Sequence, residues 1–193
     1  MTEYLRTTPQ QHPTRRTWRA LTGLCVLAAS LTACGANSGA TSSSARQTAL
    51  LNAGLKAQQD HQLAAAVADY LQVLKLDRSN RAAWYDLGVV AQDQGYPTNA
   101  EHDYRQAVAA DPHYVPALYN LATVVAATSP SAAVGLYQEV IALAPRNAAA
   151  HFNLGLAEES VGNITGGQAQ IAQAIKLQPS LASRVPSATG AQG

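Results

Sequence analysis

The chain has 193 residues, of which only 13% are charged and 6% aromatic, against a usual charged share of about a quarter. That is enough for one ordinary domain with appendages, built from small side chains. Arg6, Arg15, Arg16 and Arg19 lie before the first apolar run, opposed only by Glu3; removing them from the 13 Lys/Arg and 12 Asp/Glu leaves 9 against 11 from Cys34 onward. A net charge of about −2 offers no basic face and excludes nucleic acid as the main partner.

The first element is an address. Residues 1–19 are polar and end in the basic cluster RRTWR; the uncharged run Ala20–Ala33 follows, 14 residues long. A hydrocarbon core of roughly 30 Å needs about 20 helical residues, so this run is too short to span it. A basic segment, a short apolar segment and small residues at its end form a secretory signal over residues 1–33. The positive side stays in the cytoplasm and the rest is exported. Cys25 lies inside the run and Cys34 ends it. Removing the signal leaves one cysteine and no intramolecular disulfide.

Leu31-Thr32-Ala33-Cys34 resembles the lipobox of bacterial lipoproteins. The resemblance implies diacylglyceryl attachment at Cys34, cleavage just before it, and anchoring to the outer face of a membrane. The stretch from Thr14 to Trp18, TRRTW, is similar to a twin-arginine signal, but Arg19 stands where that motif wants an apolar residue, which favours the general secretory route. Residues 34–46 follow as a flexible tether; Gly/Ser-type chains of this length reach on the order of 20 Å.

From residue 47 the chain repeats. Ala82–Pro112 and Ala149–Pro179 align without gaps, pairing Trp84 with His151, Leu87 with Leu154, Gly88 with Gly155, Gly95 with Gly162 and Pro112 with Pro179. Pro116–Pro145 lies between them, and Thr48–Asp77 sits 34 residues before the Trp84 unit. This pattern resembles the tetratricopeptide repeat, a helix–turn–helix unit of 34 residues. Trp84, Leu87, Gly88, Ala100, Tyr104, Ala107 and Pro112 fall on its signature positions. His61 in place of the turn glycine, Arg78 in place of the final proline, and Gly167 where alanine is usual are departures expected to weaken the array's edges. The resemblance implies an all-α, right-handed solenoid of about four repeats over 47–180: about 47–80, 81–114, 115–147 and 148–181.

Local chemistry agrees. Trp84, Leu87, Val90 and Ala91 share one helical face. Pro97, Pro116 and Pro130 suit first helical turns, Ser129 is placed to cap, and Gly95 and Gly162 supply turns between helices. Gly88 and Ala100 are expected to face each other and let two helices approach. Residues 182–193 form a disordered tail. The last helix carries Ile171, Ala174, Ile175 and Leu177 with no capping helix after it. Either Leu181 and Val185 fold back over that surface, or a partner or second copy docks there.

No catalytic, cofactor or metal site is expected. His12, His61, His102, His113 and His151 form no H-x-x-x-H or H-E-x-x-H pair. Glu158 and Glu159 are adjacent and point to different sides of a helix. Asn163-Ile164-Thr165 matches a glycosylation sequon of little weight in a bacterial chain. What the family resemblance does imply is a concave groove lined by the first helix of each repeat. Its fifth positions are Leu51, Tyr85, Tyr119 and Phe152, its sixth Asn52, Asp86, Asn120 and Asn153, and its ninth Leu55, Val89, Thr123 and Leu156. An amide stripe beside an aromatic stripe suits an extended peptide, since each asparagine offers both donors and an acceptor; packing between repeats is the alternative use of the same residues. The expected function is a non-catalytic, lipid-anchored adaptor binding a protein or peptide in the cell envelope, similar in layout to repeat lipoproteins that assist envelope machinery. The alternative is a scaffold that self-associates through its uncapped C-terminal helix, giving a homo-oligomer.

Overall fold

The computed structural model describes residues 43–185. The signal peptide, Cys34, the first part of the tether and the end of the tail lie outside the described residues. Eight α-helices follow one another: α1 Ser43–Gln59, α2 Leu63–Leu76, α3 Arg81–Asp93, α4 Pro97–Ala110, α5 Val115–Val125, α6 Pro130–Leu143, α7 Ala148–Ser160 and α8 Ile164–Leu177. A 3₁₀ turn, Pro179–Arg184, closes the described chain. Each helix packs on its sequence neighbours, α1 on α2, α3 on α4, α5 on α6 and α7 on α8 within repeats, with α2–α3, α4–α5 and α6–α7 between them. This is the right-handed α-solenoid of four helical hairpins.

The turn chemistry follows the sequence. Gly95 and Gly162 have φ of +77° and +91°, and His61 holds the same left-handed turn at +58°, a region that costs a side-chain-bearing residue strain. Pro97 and Pro130 open α4 and α6, and Pro116 lies in the first turn of α5. Ser129 precedes α6, but its side chain makes no capping bond. Asparagines cap instead: the Oδ1 atoms of Asn80, Asn147 and Asn163 accept from Ala83, Ala150 and Gly166 N–H at 3.0, 3.0 and 3.2 Å.

Two boundaries move. Helix α1 starts at Ser43, inside the segment expected to be tether. Its first turn is exposed, and extending a formed helix through Ser and Ala adds a hydrogen bond per residue at little cost. At the other end, residues 182–184 belong to the 3₁₀ turn rather than to a disordered tail, because Leu181 is buried (3% exposed) among Phe152, Ile171 and Ala174. Val185 stays exposed. The apolar surface from which self-association was expected is therefore partly covered by the chain's own turn.

Close packing within repeats centres on tyrosine and glycine. The ring of Tyr104 lies over Gly88, where a methyl group would meet it at 2.6 Å, and Tyr70 lies over Gly54 in the same way at 2.5 Å. The nearest neighbour of Gly88 across the two helices is thus the Tyr104 ring, where Ala100 was expected. Both tyrosines are fully buried, and their hydroxyls donate to Gln58 Oε1 (3.1 Å, Tyr70) and Gln92 Oε1 (2.9 Å, Tyr104). In the fourth repeat Ile171 replaces the tyrosine. There α7 and α8 meet through backbone: a methyl on Gly155 would lie 2.6 Å from the Gly167 carbonyl oxygen, and one on Gly167 equally close to that of Gly155. Gly167, expected to weaken the edge of the array, is what lets these helices touch.

Candidate functional site

Helices α1, α3, α5 and α7 carry the inner-face residues. In α1, Asn52 and Leu55 are exposed and Leu51 is half-buried against the first core cluster. In α3, Tyr85, Asp86 and Val89 are half-buried, as are Tyr119 and Asn120 of α5, with Thr123 exposed. In α7, Asn153 and Leu156 are half-buried. Phe152 departs from the expected stripe: it is only 2% exposed, packed under Leu181, with the Arg184 guanidinium 5.3 Å from its ring centre. The C-terminal turn therefore closes the fourth aromatic position.

The asparagines have a definite role. Asn120 Nδ2 donates to the hydroxyls of Tyr85 (3.4 Å) and Tyr104 (3.3 Å) of the repeat before it. Asn153 Nδ2 donates to Tyr119 Oη at 2.9 Å, again one repeat back. The amide and aromatic stripes are rungs of one ladder linking successive repeats. Their NH₂ groups are occupied, so the double grip on a peptide backbone expected of Asn120 and Asn153 is reduced to their amide oxygens. Burial holds the hydroxyls of Tyr70, Tyr85 and Tyr104 above the ordinary phenol range. They stay protonated, which lets Tyr104 accept from Asn120 while donating to Gln92.

Because solenoid stability is a sum of repeat and interface contributions, Asn153→Ala should cost about 1–2 kcal/mol by leaving the Tyr119 hydroxyl without its donor. Urea unfolding followed by circular dichroism checks this; an unchanged midpoint would mean the rung carries no interface energy.

The rings form a connected surface. Tyr85 lies 5.9 Å from Tyr104 and 5.5 Å, edge-on, from Tyr114, and Tyr119 lies 5.9 Å from Tyr137. Tyr114, in the turn before α5 and outside the helix positions counted from sequence, belongs to this surface; the Arg81 guanidinium stacks 5.1 Å from its ring centre and pairs with Asp111. Its signal is only spatial, since a turn residue has no place in a helical periodicity.

At the second rung the chemistry changes. Asp86 stands where Asn120 and Asn153 stand, and the preceding stripe residue is Leu51, without a hydroxyl. Burial pushes the Asp86 carboxyl up to about 6. Elsewhere, His102 Nδ1 lies 2.8 Å from the buried Asp103 Oδ1, with its ring edge-on to Trp84. His151 takes the Trp84 position and reproduces its bond: Trp84 Nε1 donates to the Arg78 carbonyl at 2.8 Å, and His151 Nε2 lies 3.0 Å from that of Pro145. Among the described residues no three His, Cys, Asp or Glu side chains converge as a metal site, and no helix is long and apolar enough to cross a membrane.

Stacked helical hairpins, locked by a tyrosine–asparagine ladder and presenting a half-exposed aromatic face, define a repeat scaffold for protein contacts. Residues 51–115 and 123–182 match the tetratricopeptide repeat model, and the chain belongs to the tetratricopeptide repeat family, whose members are generally non-catalytic scaffolds. A search of curated proteins gives no match. Among solved structures, the chain is similar to MamA, with 28% identity over 65% of this chain and 74% of that one, at a TM-score of 0.62. It also matches pilF of Pseudomonas aeruginosa, with 24% identity, 72% and 66% coverage and a TM-score of 0.63. An O-GlcNAc transferase of Thermobaculum terrenum matches at 23% identity and a TM-score of 0.61, over 69% of this chain but 26% of the transferase. The last two likenesses show the fold alone.

Proposed function

We propose that this chain is a non-catalytic adaptor, exported and lipid-anchored through Cys34, that binds a protein or extended peptide on its inner face and so helps assemble or position cell-envelope machinery. The observation that carries the binding role is the half-exposed tyrosine face of α3 and α5, held in place by Asn120 and Asn153. Aromatic side chains that are already ordered bury area at low entropic cost. The exposed Leu55 of α1 extends this face with apolar surface toward the N-terminus. Support for the anchor comes from the short apolar run and the Leu31–Cys34 motif. Two acyl chains on one cysteine give stable attachment where one gives marginal binding.

The test separates anchor from groove. Cys34→Ala should move the protein from the membrane pellet to the soluble fraction of lysed cells. In intact cells, crosslinking and mass spectrometry should recover a partner whose yield falls at least about fivefold in the double variant Asn52→Arg, Leu55→Arg. Both positions are exposed, so the melting temperature should not change. Equal partner yield from the double variant would remove the inner face as the binding site, and a Cys34→Ala protein still in the membrane pellet would remove the anchor.

A further inference from the structure

We infer that the inner face takes a partner segment bearing a lysine or arginine side chain, and that Asp86 is the seat for that cation. This rests on the peptide-binding reading above and names what the peptide must carry.

The first argument is the change of rung. Asn120 and Asn153 turn their NH₂ groups onto tyrosine hydroxyls of the preceding repeat. An ionised carboxylate only accepts, and Leu51 offers it no donor. Leu51 and Asp86 thus replace the Tyr85–Asn120 pair, while Tyr70, the counterpart of Tyr104, gives its hydroxyl to Gln58 Oε1. Among the described residues the Asp86 carboxylate has no side-chain hydrogen-bond or ion-pair partner. Burial alone raises its pKa; no neighbouring cation opposes the shift. Arg81, at the start of the same helix, is held by Asp111 and the Tyr114 ring. A half-buried carboxylate without a counter-charge is costly, and an incoming ammonium or guanidinium relieves that cost.

The second argument is the sign of the whole face. At the fifth, sixth and ninth positions of the four first helices the one charged residue is Asp86, and there is no lysine or arginine. Complementary charge fixes register and rejects like-charged partners. The third is the wall around the seat. Tyr85 adjoins Asp86 and is half-buried, while Tyr70 is fully buried and the Tyr114 ring already carries Arg81. Tyrosine ring faces attract a cation within about 6 Å of their centres, and the methylene stem of lysine or arginine packs on apolar surface such as Val89, one turn from Asp86 on the same helix.

The experiment is selection of a random twelve-residue peptide library, displayed on phage, against the full 193-residue chain, its Asp86→Asn and Asp86→Lys variants, and the Asn52→Arg, Leu55→Arg double variant. The expected result is enriched peptides with Lys or Arg at one fixed position. That preference should be lost with Asp86→Asn and turned toward Asp or Glu with Asp86→Lys. A synthetic peptide of the enriched sequence should bind Asp86→Asn at least about tenfold more weakly than the original chain. Enriched peptides without a fixed basic position, or with the same preference in Asp86→Asn, would overturn this inference and leave the groove standing. No enrichment, or enrichment unaffected by the double variant, would overturn the groove and this inference with it.

Discussion

Gly155→Ala should lower the stability of the array by about 2–3 kcal/mol, while Gly135→Ala should raise it by up to about 1 kcal/mol. Alanine is intrinsically the better helix former at both positions, by about 0.8–1.0 kcal/mol, so the opposite signs must come from packing. At Gly135 on α6 a methyl group meets nothing within 4 Å. At Gly155 it meets the Gly167 carbonyl oxygen and Ile171 Cγ1 at 2.6 Å and the Ile171 nitrogen at 3.1 Å. Two of these three are backbone atoms of α8, which cannot rotate aside. The helices must part, and the buried contacts of Ile171 and Ala174 loosen with them. Overpacking of this kind costs about 1–3 kcal/mol or more. Urea midpoints of the two variants against the original chain give the test. A Gly155→Ala midpoint equal to or above the original would mean that α7 and α8 do not meet through backbone. Because repeats interact with their neighbours, hydrogen exchange should show the loss in α7 and α8, with α1 and α2 unchanged.

The same two glycines show which parts of the fold are legible in sequence. The 34-residue period, the left-handed turns at Gly95 and Gly162 and the prolines in the first turns of α4, α5 and α6 follow from local chemistry that one residue can announce. Gly167 cannot be judged that way. Read against the repeat pattern it is a departure, and only the pairing with Gly155 across two helices gives it a purpose. Capping divides likewise: Ser129 has the right type and place but makes no bond, while Asn163 caps α8 from the equivalent position one repeat later. Hydroxyl and amide caps compete on backbone geometry that the residue name does not carry.

The inner face is legible as a set of neighbours but not as a set of bonds. Counting helix positions places Tyr85 beside Asn120 and Tyr119 beside Asn153, and those pairs do meet. Whether an amide turns outward to a peptide or sideways to a phenol leaves the same periodicity in the sequence. Distance and direction decide it, and they decide for the ladder. That outcome changes what the asparagines are for. They hold the tyrosines in position, and the step at which the ladder lacks its partners, Leu51 and Asp86, becomes the chemically distinct point on the face. Phe152 fails as a groove residue for another reason. Its cover comes from Leu181 and Arg184, a contact set by where the tail returns.

Leu181→Ala should cost about 2–3 kcal/mol and Leu181→Asp more, although the residue lies outside every helix of the repeats. Leu181 is 3% exposed and fills the space bounded by Phe152, Ile171 and Ala174. Truncating buried leucine to alanine costs about 2–5 kcal/mol, least where the site can collapse; this site lies at the end of the array, which places the value low in that range. The last repeat has no following neighbour to cover α8, and the turn Pro179–Arg184 takes that neighbour's place with one leucine and one arginine stacked on Phe152. Removing residues 179–193 should therefore do two things at once: lower the urea midpoint by at least as much as Leu181→Ala, and bare Phe152 and Ile171. Sedimentation velocity of the truncated chain should then show concentration-dependent association absent from the intact one. A truncated chain that stays monomeric with an unchanged midpoint would mean that the turn covers nothing that matters. The substitution Arg184→Ala separates the two contacts, since it removes the cation over Phe152 and leaves Leu181 seated. Stacking of this kind is worth about 0.5–1 kcal/mol at exposed sites, so most of the effect should stay with the leucine.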